Sequence, residues 1–148
     1  MSNFLDVNKM YLKFGLVEKS FDKPCLITGK AVVFRLKAMQ EELQELEEGY
    51  REQDLLKIAD SLVDLVVFAL GTAVLHNLPW EDLFTEVMRA NTSKVSQFTN
   101  AKERNGAGSI DLIKPEGWRG PDIEGVLKDW GWDDPDTASR LEDEIKLR

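Results

Sequence analysis

Apolar residues recur at steps of three and four along most of the first hundred positions, which is the spacing of one face of an α-helix. Phe4, Val7, Tyr11 and Phe14 carry it through residues 3–14, and Gly15 supplies the stop. Val32, Leu36, Met39, Leu43 and Leu46 carry it through residues 28–48, with Gly49 placed to cap the end. Asp54, a good N-cap residue, opens a third helix over residues 54–76 that is apolar nearly all round beyond Val63. Asn77 to Pro79 break the pattern. A fourth helix is predicted over residues 80–94, with Leu83, Phe84, Val87 and Met88 inward. After Phe98 the pattern dissolves into a Gly-rich stretch at 105–109, the turn-rich KPEGWRGP at 114–121, and Trp130 and Trp132 among Gly and Asp. A short charged helix is predicted over 137–147, and IDLI at 110–113 is the best strand signal in a chain where such signals are weak. These elements predict an all-α fold: a four-helix-bundle-like core with an irregular C-terminal arm. Residues 1–98 form the helical domain, and residues 99–148 pack on that domain or on a neighbouring subunit.

Composition narrows the class. A chain of 148 residues suits one domain with a core of its own. The net charge of -8 disfavours a nucleic-acid backbone or an anionic membrane as partner. Cys25 is alone, which excludes an internal disulfide and a cysteine-type zinc site and suits a reducing cytoplasm. Residues 1–6 carry no basic and apolar leader pattern. The apolar run after Asp64 falls short of the ~20 residues of a membrane span. A soluble cytoplasmic protein is therefore expected. The third helix is apolar on more faces than three neighbours can cover, so the chain is expected to self-associate as a homodimer or homotetramer.

Two acidic clusters interrupt these helices: EELQE at 41–45 and DSLVD at 60–64. Asp64 is the only charged residue between Leu62 and Leu75, and an unpaired carboxylate in an apolar setting is costly unless neutralised. On a helical wheel Glu42 lies on one shoulder of the apolar stripe, with Glu45 about 60° further round on the same side. Glu41, Glu47 and Glu48 point to solvent. Asp60 and Asp64, at i and i+4, share a face that continues as Val67 and Gly71. A turn near residues 51–53 would bring Glu42 and Glu45 level with Asp60 and Asp64 in an antiparallel helix pair. Four converging carboxylates describe a divalent-cation site, and oxygen-only ligands suit Mg2+ or Mn2+. His76, the only histidine, lies about three turns beyond Asp64, so the Glu-x-x-His pairs of a di-iron bundle are missing. The plainer alternative is an acidic helical interaction module whose clusters are solvated faces, but it does not account for Asp64.

EELQE followed by an Asp-ending motif that opens an apolar helix resembles the EExxE…ExxD signature of the all-α nucleoside triphosphate pyrophosphohydrolases. That superfamily includes MazG-like proteins, dimeric dUTPases and phosphoribosyl-ATP pyrophosphohydrolases. LGTAV at 70–74, EVMRANTSK at 86–94 and KPEGWRGPDI at 114–123 are similar to a bacterial and phage branch of it. One departure stands out. Where the common pattern has Glu three residues before the final Asp, this chain has Ser61, and the acid is Asp60. The resemblance implies Mg2+-dependent cleavage of a nucleoside triphosphate to the monophosphate and pyrophosphate, or else a phosphoribosyl-ATP type of reaction. It implies Glu42, Glu45, Asp60 and Asp64 as metal ligands, with Glu42 or Glu45 orienting the attacking water. Asn91, Lys94 and Arg89 become substrate contacts on the fourth helix. Lys102, Arg104 and Lys114 lie where a segment could close over phosphates, and Trp118 is expected to pin the C-terminal arm rather than stack on a base.

Overall fold

Helix α1 (Asn3–Lys13) stops where the sequence places its glycine: Phe14 caps it and Gly15 turns the chain at φ 65°. The computed structural model describes residues 2–17, 23–98 and 110–133, so the predicted helix at 137–147, the Gly-rich stretch, Lys102 and Arg104 lie outside the described residues. After α1 come α2 (Lys30–Glu52), α3 (Leu55–Leu75) and α4 (Trp80–Thr92). Strands β1 (Val95–Phe98) and β2 (Ile110–Ile113) and a short α5 (Ile123–Asp129) complete the described elements. The chain is all-α with a helical bundle core, as its periodicity predicts. It divides into two compact units: one runs to Leu78 and takes in Trp130, and the other is Pro79–Asp129.

In the first unit α3 is the central element, packed against α2 and α1. Asp54 caps it as expected, its carboxylate accepting from the backbone N–H groups of Leu56 and Lys57 at 2.9 and 3.2 Å. The predicted stop of α2 is corrected. The helix runs through Gly49 to Glu52, and Gln53, left-handed at φ 57°, takes the capping place. Gly49 has a different task. A Cβ there would stand 2.9 Å from Ile58 Cγ1 and 3.1 Å from the Ile58 backbone nitrogen, so its bare backbone lets α3 come close. The buried line of α2 is also turned from the predicted stripe: Arg35, Ala38 and Gly49 are buried, while Leu36 and Leu43 are 53% and 49% exposed. Ala38 and Gly49 let the helices come close and Arg35 reaches across the contact, so Leu36 and Leu43 lie on its outer side while Leu46 stays partly buried.

Arg35 lies across this contact. Its Nε donates to Thr72 Oγ1 at 3.1 Å and its Nη2 to the Phe68 carbonyl at 2.5 Å. The guanidinium also stacks against the rings of Phe68 and Tyr11. Tyr11 and Arg35 leave no room for a side chain at position 71, which is glycine. At the other end, His76 caps α3; its carbonyl accepts from the Cys25 N–H at 2.9 Å and its Nδ1 lies 2.9 Å from the Cys25 carbonyl, fastening the segment before α2. By length and composition α3 is able to cross a membrane, which the apolar run alone was expected not to do. It nonetheless carries Lys57, Asp60 and Asp64 and packs as the central helix of its unit.

In the second unit Leu83 and Ala90 are buried on α4, but Phe84 and Met88, expected inward, are 52% and 41% exposed. The helix ends at Thr92, short of the predicted 94, because the chain turns into β1. The sequence reading missed β1 and α5, whereas β2 coincides with IDLI. The strands pair antiparallel with Val95 opposite Ile113 and Phe98 opposite Ile110.

Candidate metal centre and active site

The contacts between α2 and α3 fix the heights of the acidic residues. Gly49 meets Ile58 near the turn, and Arg35 meets Phe68 and Thr72 several turns away. Interpolating along two antiparallel helices brings Glu42 level with Asp64. Glu42 lies on the same line of α2 as Arg35, Ala38 and Gly49 and is partly buried there, as is Asp64 on α3. Glu45 and Asp60 are exposed.

Electrostatics locate the centre of the cluster at Glu42. Its carboxyl is pushed above the ordinary glutamate value by desolvation first, then by Asp64, Glu45, Asp60 and Glu41. Every one of those neighbours is an acid. None of the five carboxylates pairs with a Lys or Arg among the described residues, whereas nearby Glu48 does. Glu48 is exposed, as expected, and also bonds Lys57 at 2.7 Å, linking α2 to α3; Glu52 joins at 3.5 Å. Repulsive carboxylates without a counter-cation form a donor set that suits a hard divalent ion. Among the described residues no three of these side chains already stand in the tight arrangement of a filled metal site, so ligation would draw them inward.

Ser61, at the position where the superfamily pattern has Glu, is 1% exposed, and its hydroxyl donates to the Lys57 carbonyl at 2.9 Å. A small residue with a self-satisfied hydroxyl fills that tight place, and the acid stands one position earlier on the open side.

The substrate contacts inferred from sequence lie in the second unit, Arg89 and Asn91 on α4 and Lys94 just after it. Lys94 Nζ donates to Asn91 Oδ1 at 2.8 Å, so these two act together. Arg89 is engaged elsewhere: it holds Glu86 through Nε and Nη2 at 2.8 and 2.7 Å and reaches the Gly120 carbonyl at 3.0 Å. Glu86, not singled out by sequence, also accepts from the Asp122 backbone N–H at 2.8 Å. The Trp118 indole N–H donates to the Ala90 carbonyl at 2.8 Å, the pinning role expected of it. Glu86 and Arg89 at i and i+3 form a recognisable helix pair, but nothing in the sequence showed which loop they would grip.

The family description for phosphoribosyl-ATP pyrophosphohydrolase matches residues 14–91, just over half of the chain. The chain belongs to this family. The match takes in α2, α3 and nearly all of α4, hence both acidic clusters and Asn91; Lys94 lies just beyond it. No curated protein matches the chain. Membership places the protein among the all-α MazG-like pyrophosphohydrolases, which hydrolyse phosphoric anhydrides, and makes that its reaction class.

Proposed function

We propose that the protein hydrolyses a nucleoside or deoxynucleoside triphosphate to the monophosphate and pyrophosphate with Mg2+, Mn2+ being an alternative ion. The observation that carries this reading is the set of acids gathered about Glu42 without a counter-cation among the described residues. Glu42, Glu45, Asp60 and Asp64 would hold the metal. Bound there, it would supply charge neutralisation of the polyphosphate and polarisation of the phosphorus under attack. Glu42 or Glu45 orients the attacking water and accepts its proton, and the upward push on the Glu42 carboxyl suits that residue to the work. Lys94 serves the phosphates and Asn91 the sugar or base; Arg89 contributes as far as its pairing with Glu86 allows.

The family description itself favours a second reading, in which phosphoribosyl-ATP is the substrate. One assay separates the two: a panel of nucleoside triphosphates and phosphoribosyl-ATP with Mg2+, reading pyrophosphate and orthophosphate. Pyrophosphate from a triphosphate, lost in Glu45→Gln and Asp64→Asn proteins that remain folded, supports the first. Orthophosphate as first product, or full turnover in both variants, rejects it.

The same reading includes self-association in the cytoplasm as a homodimer or homotetramer. Leu36, Leu43, Leu62, Val63 and Val66 of α2 and α3 are 46–61% exposed, an apolar surface suited to a second copy. Light scattering on the purified chain checks it, and a monomer at micromolar concentration would refute it.

A further inference from the structure

Lys94 follows α4 and precedes β1, and Lys114 follows β2. The register sets Val95 opposite Ile113, so the lysines flank the open end of the two-stranded sheet. Both ammonium groups lie over one ring: Lys94 Nζ is 5.8 Å and Lys114 Nζ 4.6 Å from the Trp118 ring centroid. Trp118 is fixed by its bond to the Ala90 carbonyl, and Asn91 steadies Lys94.

Like charges directly opposite on paired strands repel. This chain has 27 acids against 19 Lys and Arg, so an ion-pair partner is seldom scarce. Lys9, Lys57 and Lys128 each find one. Neither Lys94 nor Lys114 pairs with a carboxylate among the described residues. Lys114 is exposed and Lys94 partly so, which leaves them open to a ligand. An anion between the two would relieve the repulsion and use an indole already immobilised.

We propose that Lys94 and Lys114, gathered about the Trp118 ring, make a cradle for a phosphate-bearing anion: the polyphosphate chain of the substrate or the pyrophosphate released from it. The choice of anion rests on the pyrophosphohydrolase reading, while the cradle itself lies wholly within the second unit. It adds Lys114, just past the far strand, to the phosphate contact proposed for Lys94. Ammonium groups hold phosphate as point charges, so geometry is permissive and salt weakens binding.

Calorimetry on the full chain in metal-free buffer tests this with three probes: inorganic pyrophosphate, a non-hydrolysable nucleoside triphosphate analogue, and a nucleoside. The first two bind and the nucleoside does not. Binding of pyrophosphate assigns the cradle to the product as well, and binding of the analogue alone assigns it to the substrate. Lys114→Gln weakens the bound probes by about tenfold or more, and Lys114→Arg restores most of the affinity. Asp64→Asn keeps metal-free affinity while losing turnover. Unchanged affinity in a folded Lys114→Gln protein overturns the cradle, and normal hydrolysis by that variant with unchanged KM would leave the reaction standing without it. Binding through Lys114 in a protein that hydrolyses none of the anhydrides tried keeps the cradle and removes the reaction.

Discussion

A Cβ on Gly49 would stand 3.1 Å from the backbone nitrogen of Ile58, so α2 and α3 touch backbone to backbone just before the turn that joins them. This contact sets the register of the helix pair, and through it the level at which Glu42 meets Asp64.

The two glycines of the core differ in what a methyl group would meet. At Gly49 the nearest atoms are Ile58 Cγ1 at 2.9 Å and the Ile58 backbone nitrogen at 3.1 Å, a milder overlap, and alanine's better helix propensity, about 1 kcal/mol, offsets part of it. At Gly71 the methyl would run into the hydroxyl of Tyr11, 3% exposed, and lie 2.7 Å from Arg35 Nη2. We expect Gly49→Ala to destabilise by about 1 kcal/mol and Gly71→Ala by about 3 kcal/mol. Tyr11→Phe, which deletes the nearest atom, should recover part of the second loss. Urea denaturation measures all three. Equal tolerance at both glycines would contradict the packing described.

The helices were legible because their apolar spacing, the Asp54 cap and the Gly15 stop are local signals. The facing of α2 was not. A wheel centred on its large apolar residues points at Leu36 and Leu43, yet the contact line consists of Arg35, Ala38 and Gly49, chosen for close approach. Glu42 survived this rotation because the shoulder of the predicted stripe that it occupies is the contact line itself, and Glu45 fell on the open side. Gly49 was mistaken for a cap since a glycine near a helix end reads the same whether it serves backbone freedom or contact. Strand β1 was hidden because its pairing with β2 is a relation between distant segments. The clamp of Glu86 and Arg89 on Gly120 and Asp122 was hidden for the same reason.

Asp60 and Asp64 should not be equivalent. Asp64 is partly buried beside Glu42, whereas Asp60 is exposed and comes after both Asp64 and Glu45 in its effect on the Glu42 carboxyl. Asp64→Asn should abolish hydrolysis, and Asp60→Asn should leave a measurable rate with a raised Mg2+ requirement. A metal titration of activity distinguishes them. Identical losses would place Asp60 in the ligand set on the same footing as Asp64.

Without metal, the ionised Glu42 carboxylate among its acidic neighbours opposes folding. A carboxyl raised by desolvation and by neighbouring acids contributes stability below the ordinary glutamate value of 4.5, and that contribution is lost as pH climbs through its folded value. At neutral pH the penalty is therefore fully present. Glu42→Gln should melt higher than the parent in chelator at pH 7, and millimolar Mg2+ should raise the parent more than the variant. A variant less stable than the parent in chelator would show that Glu42 serves packing and not charge.

Glu86 titrates in the opposite sense. The Arg89 guanidinium, and then the Asp122 N–H, hold its carboxyl down to about 2 from the ordinary 4.5. A depressed carboxyl contributes stability above the unfolded value and loses it as pH falls through the folded one, so the window runs from about 4.5 down to about 2. What is lost there is the grip of Glu86 and Arg89 on Gly120 and Asp122, next to the Trp118 that bonds to Ala90. Acidification of the parent should therefore change the emission of Trp118 within that window. A Trp118→Phe background identifies its share among the four tryptophans. Glu86→Gln cannot form the ion pair at any pH, so its Trp118 signal should already be altered at pH 7 and flat through the window. Superimposable acid profiles for parent and variant would mean that the pair does not hold this segment in place.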